Sequence, residues 1–191
     1  NFISQALGAK NYSDAEKMAA TGFLSPFIFG AIAGTLGLIF LTPLSRAIGA
    51  TPDIISQSND YLFYILIGTP FMMSALTLNN QLRLQGNANY AMIGITSGAV
   101  LNIILDAIFI LILDMGVTGA SLATLISQII SWIILLIGTR MEGNVHVRLR
   151  NFSPTSEHYK QILDGGLPSL CRQALACIST ICLNHSAAIY A

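Results

Sequence analysis

One acidic side chain stands in the most apolar part of the sequence. Asp106 lies in the segment VLNIILDAIF, residues 100–109, and is the only charged residue between Leu84 and Leu113. An ionised carboxylate inside a membrane helix costs at least about 2.5 kcal/mol, so such a residue faces protein or a wet cavity and is a candidate functional residue. Asn102 precedes it by four positions, which puts both side chains on one helix face. The alternative is that Asp106 only hydrogen-bonds neighbouring helices.

The composition predicts that lipid surrounds these residues. Of the 191 residues, 53% are hydrophobic and 9% are charged, whereas a soluble domain carries roughly 25% charged residues. A membrane helix needs about 20 apolar residues, and backbone groups in lipid must bond within the segment, which favours helices. The sequence therefore predicts an all-α membrane protein, a polytopic bundle with about five transmembrane helices. They are expected near residues 14–46, 54–83, 88–113, 116–140 and 159–191.

The positions of the basic residues predict the orientation of these helices. The connections alternate between two sides of the membrane, and Arg46 is the only basic residue predicted on one of them. The other side collects Lys10, Lys17, Arg83, Arg140, Arg148, Arg150 and Lys160. The positive-inside rule places this second set, with the polar segment 142–157, in the cytoplasm. The net charge of zero gives no indication of a nucleic-acid partner.

Several blocks of the sequence resemble one transporter family. TPFMMSALTLNNQLRLQGN, GAVLNIILDAIFI, MGVTGASLATLISQ and GLPSLCRQALACIST are similar to successive blocks of MATE (multidrug and toxic compound extrusion) transporters of the prokaryotic branch. A complete member has twelve helices in two bundles around a central cavity, and the resemblance places this chain from the end of helix two through helix seven. It implies a partial MATE fold with three parts: residues 1–141, most of the N-terminal bundle with the first two helices largely missing; 142–157, the cytoplasmic inter-bundle linker; and 158–191, the first helix of the C-terminal bundle.

The resemblance also implies a role for the polar residues. Asn102 and Asp106 match the cation-binding cluster of the family's N-terminal bundle, and Thr124 in SLATL matches a further member on the next helix. The family's other aspartate, on its first helix, lies before residue 1. We expect Asp106 to exchange a proton or to bind Na⁺ during transport, and we expect no other metal and no cofactor.

Four further residues are candidates for a substrate path. Phe71, Met72 and Met73 form a stripe that could contact a transported compound, because Met side chains adapt to varied shapes; core packing is the alternative. Arg172 could pair with a partner in the cavity, or extend its charged end to the membrane surface.

The resemblance implies a secondary antiporter, coupled to H⁺ or Na⁺, that exports drugs or other organic, cationic compounds across the cytoplasmic membrane. Its expected partners are the lipid bilayer, a small organic substrate and the remaining helices of the full-length transporter. One alternative is a lipid-linked oligosaccharide flippase of the same wider superfamily, whose cavity should be richer in Arg and Lys. A membrane-embedded enzyme is a further alternative, but its catalytic or metal cluster is not indicated by the scattered histidines. We expect residues 1–191 alone not to transport.

Overall fold

The computed structural model describes residues 12–141, 171–176 and 179. Residues 12–141 belong to one compact unit, Ile3–Ser153, and the other described residues belong to a second unit. The first unit contains five α-helices and one π-helical segment in its described part. In chain order they are α1 (Tyr12–Ile39), α2 (Leu41–Ala47), α3 (Ile55–Leu84), α4 (Ala88–Asp106), the π-helix (Ala107–Ile112) and α5 (Gly116–Gly138).

Four stretches of these helices are long and apolar enough to cross a membrane. They are Glu16–Ile39, Ile55–Leu84, Ala88–Ile112 and Gly116–Gly138. The prediction of an all-α, multi-pass membrane protein is thereby confirmed. The second, third and fourth predicted spans are found within two residues of their expected bounds, whereas the first, predicted at 14–46, ends at Ile39. Of the fifth, predicted at 159–191, the structure describes residues 171–176 and 179, which are helical. The predicted linker 142–157 lies outside the described residues.

The first predicted helix is interrupted near its outer end. It was expected to run from 14 to 46, but α1 ends at Ile39. Phe40 separates it from α2, with φ −102° and ψ 30°. The physical reason is Pro43, which has no N–H to donate to the carbonyl of Ile39. The proline that interrupts the helix is therefore the one beyond its last turn.

Helix α3 is the centre of the bundle. It packs against α1 on one side and against α5 on the other, and α4 packs against both α5 and α3. The approach of α1 to α3 is close, because a Cβ atom on Gly34 would lie 2.6 Å from the carbonyl oxygen of Leu66. Small residues allow membrane helices to reach such distances, where packing rather than hydrophobicity drives association.

The core lies at the end of the bundle that carries Lys17, Arg83 and Arg140. Its buried members come from α3, α4 and α5, with one residue from α1; they are Phe23, Leu78, Leu82, Ala91 and Leu135. Large apolar side chains on α4, such as Ile103 and Ile104, are 69% and 51% exposed. An apolar outer surface of this kind is what a lipid-facing helix requires.

A π-helix begins directly after Asp106. The span predicted at 88–113 is α-helical only to Asp106, and Ala107–Ile112 then forms wider turns in which the Leu113 N–H donates to the Ile108 carbonyl at 3.0 Å. Such π segments inside membrane or soluble helices often occur at functional sites. A tight turn follows, in which Asp114 adopts φ 51° and Gly116 φ 56°, and it joins α4 to α5 as a short hairpin.

Candidate functional site

Asp106 occupies the last position of α4, where the α-helix becomes a π-helix. The residue is half-buried. Its carboxylate oxygen Oδ1 is buried and accepts no hydrogen bond from the described part of the chain. An acceptor without a donor in an apolar setting is costly, so this atom is a candidate to bind a proton or a cation.

Asn102 and Thr124 connect α4 to α5 one helical turn from Asp106. The Asn102 Nδ2 amide donates to Thr124 Oγ1 at 3.4 Å, and Thr124 Oγ1 itself donates to the Ala120 carbonyl at 2.9 Å. Both side chains are half-buried. The structure therefore brings together the two residues that the sequence could relate only through the family resemblance. Asp106 shares the Asn102 face of α4 but forms no hydrogen bond to either residue through Oδ1.

The chemistry of this cluster fits a small hard cation or a proton. Carboxylate, amide and hydroxyl oxygens are the ligands that such cations prefer. Because Asn102 donates through nitrogen, its amide oxygen keeps its acceptor capacity. Within the residues that the structure describes, no group of three or more His, Cys, Asp or Glu side chains could hold a transition metal. Asp106, Asn102 and Thr124 are thus the residues that could hold Na⁺, and Asp106 is the residue that could hold H⁺.

A cavity of about 310 Å³ opens between α3, α4 and α5 beside this cluster. Asn102 and Thr124 form part of its wall. The remaining lining residues are Met72, Ala75, Leu76, Ile95, Gly98, Ala99, Ser127, Gln128, Ser131 and Leu135. The wall therefore combines an apolar surface with neutral polar groups, a combination typical of pockets for small organic molecules.

The three candidate residues of the substrate stripe have different surroundings. Met72 lines the cavity and is 42% exposed. Phe71 lies in an aromatic cluster, with its ring edge-on to Phe27 and Trp132 at centroid distances of 5.7 Å and 5.4 Å. Met73 is half-buried and does not line the cavity. Successive helix residues point about 100° apart, so one helix face cannot present all three.

Arg172 lies in the second compact unit and its side chain is exposed. The two readings of this residue, a cavity partner or a membrane-surface cation, both remain predictions.

Three polar lining residues were not singled out from the sequence. Ser127, Gln128 and Ser131 continue along α5 from Thr124 and all reach the cavity. The spacing of Thr124, Gln128 and Ser131 follows the helical pattern i, i+4, i+7. That period could have shown that these polar residues share one face of an otherwise apolar helix.

Comparisons with known proteins agree with the family resemblance. The MatE family model matches residues 1–108. The multidrug export protein MepA of Staphylococcus haemolyticus is 28% identical over 190 residues, which are 99% of this chain and 42% of that protein. MepA of Staphylococcus aureus is also 28% identical over 190 residues, with the same coverage. The chain therefore spans less than half the length of the curated relatives that it matches.

Solved structures of transporters share the fold. An outward-facing multidrug resistance MATE family transporter of the MOP superfamily matches with a TM-score of 0.84 and 32% identity, over 94% of this chain and 40% of that one. An inward-facing MATE transporter matches with a TM-score of 0.80 and 32% identity, over 87% and 38% of the two chains. A MOP superfamily transporter from Pyrococcus furiosus, for which the reverse polarity of the binding pocket is described as suggesting a different function, matches with a TM-score of 0.83 and 31% identity, over 94% and 40% of the two chains.

Proposed function

Because the chain belongs to the MATE transporter family, we propose that its full-length protein is an antiporter that exports organic, cationic compounds in exchange for H⁺ or Na⁺. The protein is a multi-pass protein of the cytoplasmic membrane. Relatives that align with nearly the whole chain are named multidrug export proteins, which supports export of drugs rather than catalysis. The observation that supports ion coupling at Asp106 is that its buried Oδ1 has no hydrogen-bond donor among the described residues, although the residue lies within a candidate membrane span.

The mechanism depends on the charge state of Asp106. A ligand shifts a conformational equilibrium only by its difference in affinity for the two states. A carboxylate that is dry in one conformation and wet in the other binds H⁺ or Na⁺ more tightly in the dry one, because the charge is then neutralised where water is absent. Asp106 stands where the α-helix gives way to the π-helix, so its neutralisation would act directly on the α4–α5 hairpin.

The cavity between α3, α4 and α5 is the place for the compound in this proposal. Asn102 and Thr124 belong both to its wall and to the ion cluster. A compound in the cavity and an ion at Asp106 would then compete for, or rearrange, the same amide and hydroxyl groups. This shared wall is the physical basis that we propose for the exchange of compound against ion.

The lining of the cavity favours an organic cation over a lipid-linked oligosaccharide. The lining residues that the structure describes include no Lys and no Arg, whereas a phosphate-bearing substrate would need such donors. Met72, Leu76 and Ile95 instead offer apolar contact. The alternative of a flippase is for this reason the weaker proposal.

The test is export by the full-length protein carrying Asp106→Asn. Membrane vesicles are loaded with a fluorescent cation, and a pH gradient and a Na⁺ gradient are imposed separately. We expect the gradient-driven rate to fall at least about tenfold, since allosteric coupling of this kind is typically worth 1–3 kcal/mol. The gradient that drives the wild type identifies the coupling ion.

The matched control is Asp53→Asn. This aspartate is exposed in the connection between α2 and α3, so the same change of charge there should leave the rate within about twofold of wild type. Wild-type export by Asp106→Asn under either gradient would overturn the role of this residue in coupling.

A further inference from the structure

Gln128 has an uncommitted amide in the wall of the cavity. It lies on α5 one turn beyond Thr124 and is half-buried, and its side-chain amide makes no hydrogen bond with any residue of the described part of the chain. The hydroxyl groups beside it are occupied: Ser127 donates to the Ala123 carbonyl at 2.7 Å and Ser131 to the Gly94 carbonyl at 2.8 Å. Gln128 therefore has more unused hydrogen-bonding capacity than these two neighbours on α5.

A glycine on the facing helix makes room for this amide. A Cβ atom on Gly68 would lie 2.6 Å from Gln128 Oε1, which is well inside van der Waals contact. Gly68 is buried in the middle of α3, where a glycine costs about 1 kcal/mol of helix stability relative to alanine. The absence of a side chain at position 68 is what allows the amide to lie against the backbone of α3 at the edge of the cavity.

The chemistry of a primary amide limits what Gln128 can recognise. It offers two N–H donors beside an oxygen that accepts two hydrogen bonds, and it carries no charge. Leaving such a group unpaired in an apolar cavity is unfavourable. An uncharged group with an adjacent donor and acceptor is its natural complement, because two parallel hydrogen bonds satisfy both partners at once.

We propose that Gln128 is a specificity-determining residue that hydrogen-bonds a carboxamide, lactam or urea group of the exported compound. This inference rests on the proposed export function. The apolar wall accepts the body of the compound, and Gln128 selects among compounds by the neutral donor–acceptor group that they carry. A site with a buried polar group discriminates strongly against analogues that leave this group unpaired. Gly68 is the positioning residue that holds the amide at the cavity.

The experiment compares two lipophilic cations of similar size in vesicles with the full-length protein. Tetraphenylphosphonium has no hydrogen-bonding group, whereas carbamoylmethyl-triphenylphosphonium carries one carboxamide. In Gln128→Met the side chain keeps its length and loses both donor and acceptor. We expect kcat/KM for the carboxamide cation to fall about tenfold, through KM, since one or two lost neutral hydrogen bonds have this effect. Export of tetraphenylphosphonium should change less than about twofold.

Two further variants separate recognition from packing. Gly68→Ala keeps Gln128 but displaces its amide, so we expect the same selective loss for the carboxamide cation. Ile103→Met changes an exposed apolar residue of α4 that does not line the cavity, so both cations should be exported as by wild type. If Gln128→Met fails to reach the membrane, export by Gly68→Ala provides the test instead. A loss confined to the carboxamide cation supports recognition by the amide, and equal effects on both cations contradict it.

The results that overturn the inference are distinct from those that overturn the export function. Equal effects of Gln128→Met on both cations, or no effect on either, would show that the amide does not select substrates. If the wild-type protein exports tetraphenylphosphonium but not the carboxamide cation, the carboxamide is not a recognised group. Export of neither cation by wild type under H⁺ and Na⁺ gradients would instead contradict the proposed function itself.

Discussion

Thr124 joins the two helices of the candidate ion cluster through a single hydroxyl group. It accepts from Asn102 on α4 and donates to its own helix. The hydrogen bond between Asn102 and α5 therefore depends on one atom, Oγ1. Sequence reasoning placed Asn102 and Asp106 on one face, because the helical period is local, but it could relate Thr124 to them only through the family resemblance. The 3.4 Å distance depends on how α4 and α5 pack.

Thr124→Val should weaken ion coupling without abolishing it. The variant keeps the shape of the side chain but leaves the Asn102 amide without its acceptor, and a net hydrogen bond is worth about 1 kcal/mol. We expect the half-saturating concentration of the coupling ion to rise about fivefold in full-length protein. Vesicle export measured as a function of pH or Na⁺ tests this.

Thr35→Val is the matched control for that measurement. Thr35 is exposed on α1 and donates to the Ala31 carbonyl in the same way that Thr124 donates to the Ala120 carbonyl. Unlike Thr124, it has no partner on another helix in the described part of the bundle. Its substitution should leave the half-saturating concentration unchanged. Equal shifts in both variants would contradict a specific role for Thr124.

At the scale of whole elements, contacts between helices depend on small residues and on a few polar side chains. The α1–α3 pair meets at Gly34 and Leu66, and the α3–α5 pair is joined by a hydrogen bond from Trp132 Nε1 to Ser74 Oγ of 3.1 Å. Trp132 also stacks near Phe23, with ring centroids 6.2 Å apart. Which of the small residues face a neighbouring helix follows from packing.

Gly34→Ala should destabilise the bundle despite the better helix propensity of alanine. The propensity gain is about 1 kcal/mol. The new methyl group would lie 2.6 Å from a backbone oxygen that no rotamer change can move, and such overpacking costs typically 1–3 kcal/mol. We expect a lower Tm in detergent. Ala33→Ser, which adds one atom at an exposed neighbouring position, is the control and should leave Tm unchanged. An unchanged Tm in both variants would refute the close contact between Gly34 and Leu66.

Ser74→Ala should cost more stability than Ser127→Ala, although both serines are buried. The first change leaves the Trp132 N–H unpaired between two helices, at about 1–3 kcal/mol. The second removes a bond to the Ala123 carbonyl of the same helix, at less than about 1 kcal/mol. Thermal unfolding followed by Trp132 fluorescence compares them; equal losses would argue against the interhelical bond.

At the scale of the whole molecule, the orientation in the membrane is a prediction from charge alone. Lys17, Arg83 and Arg140 lie at the end of the bundle where the core is buried, and the positive-inside rule makes this the cytoplasmic end. The α2–α3 connection and the turn at Asp114 would then face outward.

Cysteine labelling tests this orientation. In full-length protein without its native cysteines, Asp53→Cys should react with a membrane-impermeant maleimide on intact cells. Ala88→Cys, at the start of α4, should react only after permeabilisation. Both positions are exposed, so reagent access depends on the side of the membrane. The opposite labelling pattern would overturn the orientation derived from charge.

Properties that depend on neighbours along the chain were determined by the sequence itself. Long uncharged runs require helices in lipid, because the backbone must bond within each segment. The four described spans, and the shared face of Asn102 and Asp106, follow from this local physics. The blocks that resemble MATE transporters were sufficient to indicate the family, which the comparisons confirm.

Properties that depend on contact between helices were decided only by the tertiary structure. The interruption at Phe40, the π-helix after Asp106 and the cavity with Gln128 in its wall were not predicted. In an apolar helix almost every face is compatible with lipid or with protein, so hydropathy does not determine which face packs inward. That choice depends on shape complementarity between side chains far apart in the sequence, as in the fit of the Gln128 amide against Gly68.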